Sequence, residues 1–193
     1  MRTATITRKT SETSISCAVN LDGSGTSKVA TGIGFLDHML AALAKHSGID
    51  IDLACTGDLH IDDHHSAEDC ALALGSALDQ ALGDRRGIAR FGFAYAPLDE
   101  SLARVVIDLS GRPTAVVNLM LVREKVGELA AENAGHVFRS LATNLRATLH
   151  VDVLRGENDH HKAEAAFKAL ALALKQAVTR TGSGEVPSTK GSL

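Results

Sequence analysis

The chain has 193 residues, of which 45% are hydrophobic and 3% aromatic, and its formal net charge is −3. This length and apolar content allow one domain with a substantial core, or two fused halves. The negative charge and the scarcity of aromatic side chains argue against nucleic-acid binding, and no apolar run approaches the ~18 residues of a membrane span. The polar N-terminus and three cysteines without paired spacing predict a cytoplasmic protein with reduced thiols.

The first half of the chain shows a strand pattern followed by helical patterns. Ile15, Cys17 and Val19 alternate with polar or small residues, which indicates a half-buried strand. A turn, a helix, a short strand and a long helix are predicted next, over 23–25, 36–45, 50–55 and from His64 onward. We predict Asp63 as the N-cap of the long helix.

The second half repeats this order. A strand over 105–109, a turn over 111–113, a helix over 132–147, a strand over 150–154 and a long helix capped by Asp159 are predicted. An offset of 96 residues aligns 64–82 with 160–178, and ten of these 19 positions are identical. The chain therefore reads as an internal duplication.

The duplicated unit reads as β-β-α-β-α, and the fold class predicted from it is α+β. We expect a two-layer sandwich in which each sheet carries helices on one face. The predicted boundaries are 1–88 for the first half and 89–180 for the second, within one compact pseudo-twofold unit. Residues 181–193, rich in Gly, Ser and Thr, are predicted to form a flexible C-terminal tail.

A histidine-rich block occurs in both halves, as HHSAE at 64–68 and HHKAE at 160–164. Imidazole and carboxylate ligands suit Mn, Fe, Zn or Ni, and the lack of thiolate favours Mn or Fe. Adjacent helical residues point about 100° apart, so we predict that neighbouring histidines bind different ions. Two further histidines stand at matched positions before these blocks. The candidate ligands are His38, His64, His65, Glu68, His136, His160, His161 and Glu164.

This ligand set predicts two cation sites, each with about three histidines and one glutamate and with open positions for substrate or water. The sequence leaves open which ligands share an ion. It also leaves two other functions open: a dinuclear hydrolase that activates a bridging water, and a metal-storage or metal-assembled structural oligomer. A hydrolase predicts release of phosphate, and a storage protein predicts saturated coordination without converging basic residues.

Several motifs resemble those of imidazoleglycerol-phosphate dehydratases of histidine biosynthesis. They are FLDHML at 35–40, RKTSET at 8–13, GDLHIDDHH at 57–65, PLDE at 97–100, DLSGRP at 108–113, DHHKAE at 159–164 and STKG at 188–191. Ala42 stands where a Gln is common in the family, and Ser66 where a Thr is common. The chain shows no additional phosphatase domain, so the resemblance is to the monofunctional form.

The resemblance implies a lyase that dehydrates D-erythro-imidazole glycerol phosphate to imidazole acetol phosphate through a metal-stabilised imidazolate. It also implies two Mn²⁺ ions held by the eight ligands above, and a 24-meric homo-oligomer with active sites between subunits. Glu12 is the leading candidate for proton transfer and a candidate substrate contact, while Glu68 and Glu164 act as catalytic glutamates through the metal. The implied phosphate-binding residues are Arg90, Arg112, Lys168, Ser188 and Lys190.

Overall fold

A computed structural model describes residues 1–191 and confirms the α+β class. Residues 192 and 193, the end of the predicted tail, lie outside the described residues. The first half contains four strands and two helices: β1 (Thr3–Lys9), β2 (Thr13–Asn20), β3 (Ser27–Ala30), α1 (Gly34–Ser47), β4 (Asp50–Gly57) and α2 (His64–Leu82). The first half thus has one strand more than the predicted unit, placed before its first helix, and the second half has the equivalent strand as well.

The second half repeats the series and adds a small ribbon before its first helix. Its elements are β5 (Phe91–Leu98), β6 (Ser101–Asp108), β7 (Thr114–Asn118), β8 (Lys125–Val126), β9 (Leu129–Ala130), α3 (Ala131–Leu145), β10 (Thr148–Arg155) and α4 (Asp159–Ala177). The ribbon pairs β8 with β9.

The two four-stranded sheets have the same topology, β1-β2-β4-β3 and β5-β6-β10-β7. In each sheet the third strand of the half lies at an edge and runs parallel to the last strand. Both edge strands are short and mostly exposed, so they lack the alternation of buried residues that reveals a strand in a sequence. The matching topology supports an origin by duplication.

The four helices form a layer between the two sheets. Each helix packs on the sheet of its own half, while α1 packs against α4 and α2 against α3 across the halves. Leu36, Leu74, Phe138 and Phe167, one from each helix, line a shared interior void of about 10 Å³. Each half is therefore the expected two-layer unit, and the halves join through their helices into one core.

The paired helices run parallel. At one end His64 stacks on His136 with 5.0 Å between ring centroids, and His38 lies 3.2 Å from Glu164. At the other end Arg146, just after α3, pairs with Asp79 of α2. We call the histidine-bearing N-terminal ends of the helices the ligand pole and their C-terminal ends the basic pole.

The predicted helix caps need correction. Asp63 occupies the N-cap position of α2 but its side chain makes no capping bond, because its Oδ2 accepts the backbone N–H of Ala130 instead. Asp159 lies inside α4, and the residue before it, Asn158, accepts the backbone N–H of His160. Both aspartates are used to join the helix starts to neighbouring loops.

The tail packs along the basic pole as far as it is described. Thr181 donates its backbone N–H to the Gly87 carbonyl, and Gly87 donates to the carbonyl of Glu185. The Arg90 side chain donates to the carbonyl of Pro187 at 2.7 Å. These bonds place the start of the STKG segment beside Arg90.

The outward faces of the two sheets differ. Phe91, Phe93 and Tyr95 of β5 are each more than half exposed, and Phe93 lies opposite Val106 of β6. The corresponding face of the first sheet carries mainly Thr, Ser and Ala side chains. An exposed aromatic surface of this kind is typical of a protein contact. None of the described helices combines the length and apolar character needed to cross a membrane.

The close approach of α2 and α3 yields a first prediction. A Cβ on Gly75 would lie 2.7 Å from the Leu141 carbonyl oxygen and 2.9 Å from the Leu145 nitrogen. We expect Gly75→Ala to lower the free energy of unfolding by about 1–3 kcal/mol, because backbone atoms must move apart. At an exposed helical position the same change would raise stability by about 1 kcal/mol. Urea denaturation measures the difference.

The matched control is Gly184→Ala, where no atom of the described part of the chain lies within 4 Å of the added Cβ. We expect its unfolding free energy to stay within about 0.5 kcal/mol of the parent chain. A Gly75→Ala protein as stable as the parent would contradict the close helix contact.

Candidate metal and substrate site

The first group of possible ligands combines α1 with α4. His38, His160 and Glu164 each offer an atom, and these atoms lie within 4.8 Å of one another. Glu164 Oε2 is 3.2 Å from His38 Nε2 and 3.1 Å from His160 Nε2. His160 and Glu164 are four residues apart on one helix face, and His38 is supplied by the other half. We call this the Glu164 trio.

The second group combines α2 with α3. His64, Glu68 and His136 likewise offer atoms within 4.8 Å of one another. Glu68 Oε1 is 3.1 Å from His136 Nε2, and Glu68 Oε2 is 3.6 Å from His64 Nε2. We call this the Glu68 trio. Each trio draws ligands from both halves, so neither half could form one alone.

His65 and His161 lie outside both trios. Within one chain the structure therefore groups three ligands rather than the predicted four, and six of the eight candidates come together. The direction of each ring explains this, because its Nδ1 is bonded to a carboxylate that lies away from the trio: His65 to Asp58 at 3.0 Å and His161 to Glu100 at 2.8 Å.

Three histidine rings are anchored through Nδ1. Besides the two carboxylate bonds, His64 Nδ1 donates to Asn133 Oδ1 at 2.9 Å. This pattern fixes the tautomer and leaves Nε2 for a cation. The hydrogen bond to Asp58 raises the pKa of His65, and that to Glu100 raises the pKa of His161.

The donor atoms of the trios fit a divalent cation. His136 Nε2 is buried and, although it is 3.1 Å from Glu68 Oε1, it forms no hydrogen bond within residues 1–191. A buried imidazole nitrogen without a hydrogen bond is costly unless another partner takes its lone pair, and a cation can do so. Two imidazoles and one carboxylate with no thiolate suit Mn²⁺ or Fe²⁺.

Glu164 is held in its ionised form by its neighbours. Burial by itself raises the pKa of this carboxyl, but hydrogen bonds from Lys168 and His38 outweigh burial and lower the pKa to about 2. Lys168 Nζ is 2.8 Å from Glu164 Oε1. Lys168 therefore lies at the ligand pole, one turn beyond the carboxylate that it contacts.

Glu12 lies near the ligand pole with its carboxylate accessible. Its Oε1 is 3.7 Å from His65 Nε2, and about half of its side chain is exposed. The hydroxyl of Thr10 accepts the backbone N–H groups of Glu12 and Thr13, which shapes the turn that presents Glu12. Thr13 Oγ1 donates to the buried Asp69 at 2.5 Å and connects this turn to α2.

The repeat equivalent of Glu12 is used differently. Glu100 Oε1 accepts the backbone N–H groups of Glu157 and Asn158, and its Oε2 faces His161. The hydrogen bond from the backbone N–H of Asn158 and the hydrogen bond with His161 hold the pKa of Glu100 well below its usual range. Glu100 is thus engaged on both oxygens, whereas Glu12 keeps an oxygen available for a ligand.

The remaining phosphate candidates gather at the basic pole. Arg90 forms two hydrogen bonds to Asp108, at 2.7 and 3.0 Å, and holds Pro187. Arg112 Nη2 lies 3.9 Å from Asp108 Oδ2 and its side chain is largely exposed. Ser188 follows Pro187 directly, and its hydroxyl accepts the backbone N–H of Lys190.

The two poles are far apart within one chain. The Arg90 backbone N–H donates to the Ala177 carbonyl at the end of α4, 13 residues beyond Glu164. At 1.5 Å per residue, this separation is about 20 Å along the helix. The structure therefore does not bring Arg90, Arg112, Ser188 and Lys190 together with Lys168 or with either trio of the same chain.

The two departures from the family motifs occupy different surroundings. Ser66 is fully buried, and its hydroxyl has no hydrogen-bond partner among the described residues. It faces Gly57 so closely that a Cβ there would lie 2.1 Å from Ser66 Oγ. Ala42 lies one turn after His38 on α1 and is buried.

Sequence reasoning missed the residues that orient the ligands. Asn133 gave no signal of its own, because its partner His64 is 69 residues away, and Asp58 was part of the GDLHIDDHH motif but was not singled out. Glu100 could have been found, since the repeat alignment places it over Glu12 and a duplicated carboxylate near duplicated histidines indicates a shared role.

Comparison with known proteins agrees with these features. A sequence model of the family described as Imidazoleglycerol-phosphate dehydratase matches residues 31–174. A protein named imidazoleglycerol-phosphate dehydratase from Phaffia rhodozyma is 57% identical, and the alignment covers 100% of this chain and 97% of the relative. One of the same name from Phytophthora nicotianae is 61% identical over all of this chain, which spans 43% of that relative's length.

Solved structures show the same fold. The crystal structure of imidazoleglycerol-phosphate dehydratase from Staphylococcus aureus N315 matches with a TM-score of 0.84 and 38% identity, over 93% of this chain and 99% of that one. The enzyme from Pyrococcus furiosus matches with a TM-score of 0.84 and 37% identity, over 97% of this chain. The repeat, the fold and these matches together show that the chain belongs to the imidazoleglycerol-phosphate dehydratase family, whose members are hydro-lyases.

Proposed function

We propose that this chain dehydrates D-erythro-imidazole glycerol phosphate to imidazole acetol phosphate in histidine biosynthesis, using two Mn²⁺ ions. The family match supports the reaction and the pathway. The observation that carries the metal dependence is the pair of equivalent three-ligand groups, each built from both halves of the fold. A single such group on a surface is common, but two at matched repeat positions indicate selection for cation binding.

The two trios are proposed to hold the cations through His38, His160 and Glu164 and through His64, Glu68 and His136. When bound, the cations supply positive charge that makes the substrate's imidazole N–H more acidic and helps to orient the ring. Three ligands per ion leave positions open for that ring and a substrate hydroxyl. Glu68 and Glu164 contribute the negative charge that retains the cations.

Glu12 is proposed to take up the proton from the carbon adjacent to the one that bears the leaving hydroxyl. Its accessible carboxylate and its position beside His65 support this role. The Thr10–Thr13 turn and its bond to Asp69 hold Glu12 in place without using its carboxylate oxygens. By contrast, Glu100 already accepts hydrogen bonds on both oxygens, which makes it the weaker candidate for proton transfer.

Phosphate binding is proposed for Arg90, Arg112, Ser188 and Lys190 at the basic pole and for Lys168 at the ligand pole. Since these poles lie about 20 Å apart in one chain, a complete site needs at least two copies. The substrate is small, and it cannot span that distance. We therefore propose that one copy supplies the metal ligands and another the basic pole, within a homo-oligomer of the family's 24-meric type.

Two further observations support assembly from several copies. His65 and His161 are oriented by carboxylates outside the trios, so they are available to complete the coordination in a neighbouring copy. The exposed Phe91, Phe93 and Tyr95 provide apolar area for a subunit contact. We also propose that the protein acts in the cytoplasm, which agrees with three unpaired cysteines.

The proposed reaction is tested with imidazole glycerol phosphate and metal-depleted protein. We expect no turnover after chelation, recovery on addition of Mn²⁺, and a ketone product that retains its phosphate. Release of inorganic phosphate would instead indicate the hydrolase alternative. Full turnover by protein shown to be free of divalent metal would contradict the metal dependence.

Glu12→Gln tests the proton-transfer residue. We expect kcat to fall by about 10²–10⁴-fold, the usual contribution of a general acid or base, while the amount of bound Mn²⁺ is unchanged. Steady-state kinetics and metal analysis measure the two quantities. Glu124→Gln alters an exposed glutamate whose side chain forms no hydrogen bond or ion pair within residues 1–191, so it is the control and should retain the parent kcat. Parent-like turnover by Glu12→Gln would remove Glu12 from the mechanism.

Mixed oligomers test whether a site combines two chains. Glu164→Gln damages the ligand pole, and Arg112→Gln damages the basic pole at an exposed position. Each variant alone should have little activity. Co-expressed in equal amounts, they should regain up to about a quarter of parent activity, because that fraction of inter-chain sites combines two intact poles. Activity no greater than the mean of the two separate variants would contradict an inter-chain site.

A further inference from the structure

The two trios are equivalent in the repeat but differ in one neighbouring residue. Lys168 follows Glu164 by four residues, and the equivalent residue after Glu68 is Leu72. Residues four apart on a helix face one another, so both positions adjoin their glutamate. The duplicated sites thus differ by one positive charge beside the carboxylate.

This difference changes how each carboxylate can be used. Glu164 Oε1 is bonded to Lys168 at 2.8 Å, so only Oε2 faces its two histidines. Both oxygens of Glu68 face histidines of its trio. No lysine or arginine within residues 1–191 forms an ion pair with Glu68. With neutral histidines, the Glu68 trio carries one negative charge, while Glu164 and Lys168 together carry none.

The environment makes this charge difference effective. Glu164 is 12% exposed and Lys168 is 21% exposed, so water screens their interaction less than it would at the surface. A positive charge close to a bound divalent cation lowers its affinity, and one that shares a ligand also reduces the charge that the ligand offers. Even a modest interaction of about 1.4 kcal/mol corresponds to a tenfold change in affinity.

We propose that the two cation sites have unequal affinity, with the Glu68 trio binding divalent metal more tightly, and that Lys168 causes the difference. The inference rests on the proposed binding of two cations per chain, and it assigns a different affinity to each of the two cation sites. A chain at limiting metal therefore fills the Glu68 trio first. The Glu164 trio fills last, and binding of a cation there completes the pair of ions.

The test is a Mn²⁺ titration of metal-free protein, with free Mn²⁺ measured by electron paramagnetic resonance and no substrate present. The parent should show two classes of site, each with one ion per chain. Lys168→Met should tighten the weaker class by about tenfold. Leu72→Lys, the reciprocal change, should weaken the tighter class. Glu68→Gln should remove the tighter class and Glu164→Gln the weaker one, which assigns each class to its trio.

Lys175→Met is the matched control, because it removes the same charge from an exposed position on α4, eleven residues beyond Glu164. It should leave both affinities unchanged. Circular dichroism and particle size should match the parent for every variant that is compared. If Leu72→Lys does not fold, Lys168→Met alone decides the question.

Two results separate this inference from the proposed function. If two ions bind per chain with equal affinity, or if Lys168→Met leaves the weaker class unchanged, the inference is wrong while two-cation binding stands. If the chain binds no Mn²⁺ in this titration, the inference and the proposed metal dependence both fail.

Discussion

The structure depends on the parallel pairing of helices across the two halves. α2 runs beside α3 and α1 beside α4. The N-terminal ends of all four helices meet at one pole, because Asp63 bonds Ala130, the loop before α3 packs on Phe35, and Phe35 contacts His160. The contact is close enough that Gly75 of α2 has no room for a side chain against α3. A shift of one turn would move His136 about 5.4 Å along α3 and separate it from Glu68. The grouping of the candidate metal ligands therefore depends on helix packing.

Once the helices are paired, hydrogen bonds to Nδ1 set the direction of the histidine rings. Asn133 turns His64 into its trio, whereas Asp58 and Glu100 hold His65 and His161 outside. This explains how two adjacent histidines on one helix serve different purposes. The two halves also use different carboxylates to orient the second histidine of each pair. Asp58 orients His65 in the first half, which leaves Glu12 free of that role, whereas Glu100, the repeat equivalent of Glu12, orients His161 in the second half.

Duplication produced two similar ligand groups, and later substitutions made their surroundings differ. Lys168 adds a charge that Leu72 does not, and Glu100 became part of a hydrogen-bonded loop while Glu12 kept an accessible carboxylate. The basic residues lie at the pole opposite the candidate ligands, so a single chain holds both kinds of group but keeps them apart. The two copies of the repeated unit have therefore diverged in the residues beside their ligands. In both copies the candidate ligands lie at the N-terminal ends of the helices, away from the basic residues.

The sequence by itself determined the duplication, the α+β class, the family and the residue types of the site, because repeats and periodic patterns are local properties of a chain. It did not reveal the short edge strands, which have few buried residues, or the true helix cap at Asn158. Only the tertiary structure decided which ligands group together, because His38 meets Glu164 across 126 residues of chain and through helix packing. It also decided that Arg90 lies far from Glu164, since that distance depends on the direction and length of α4.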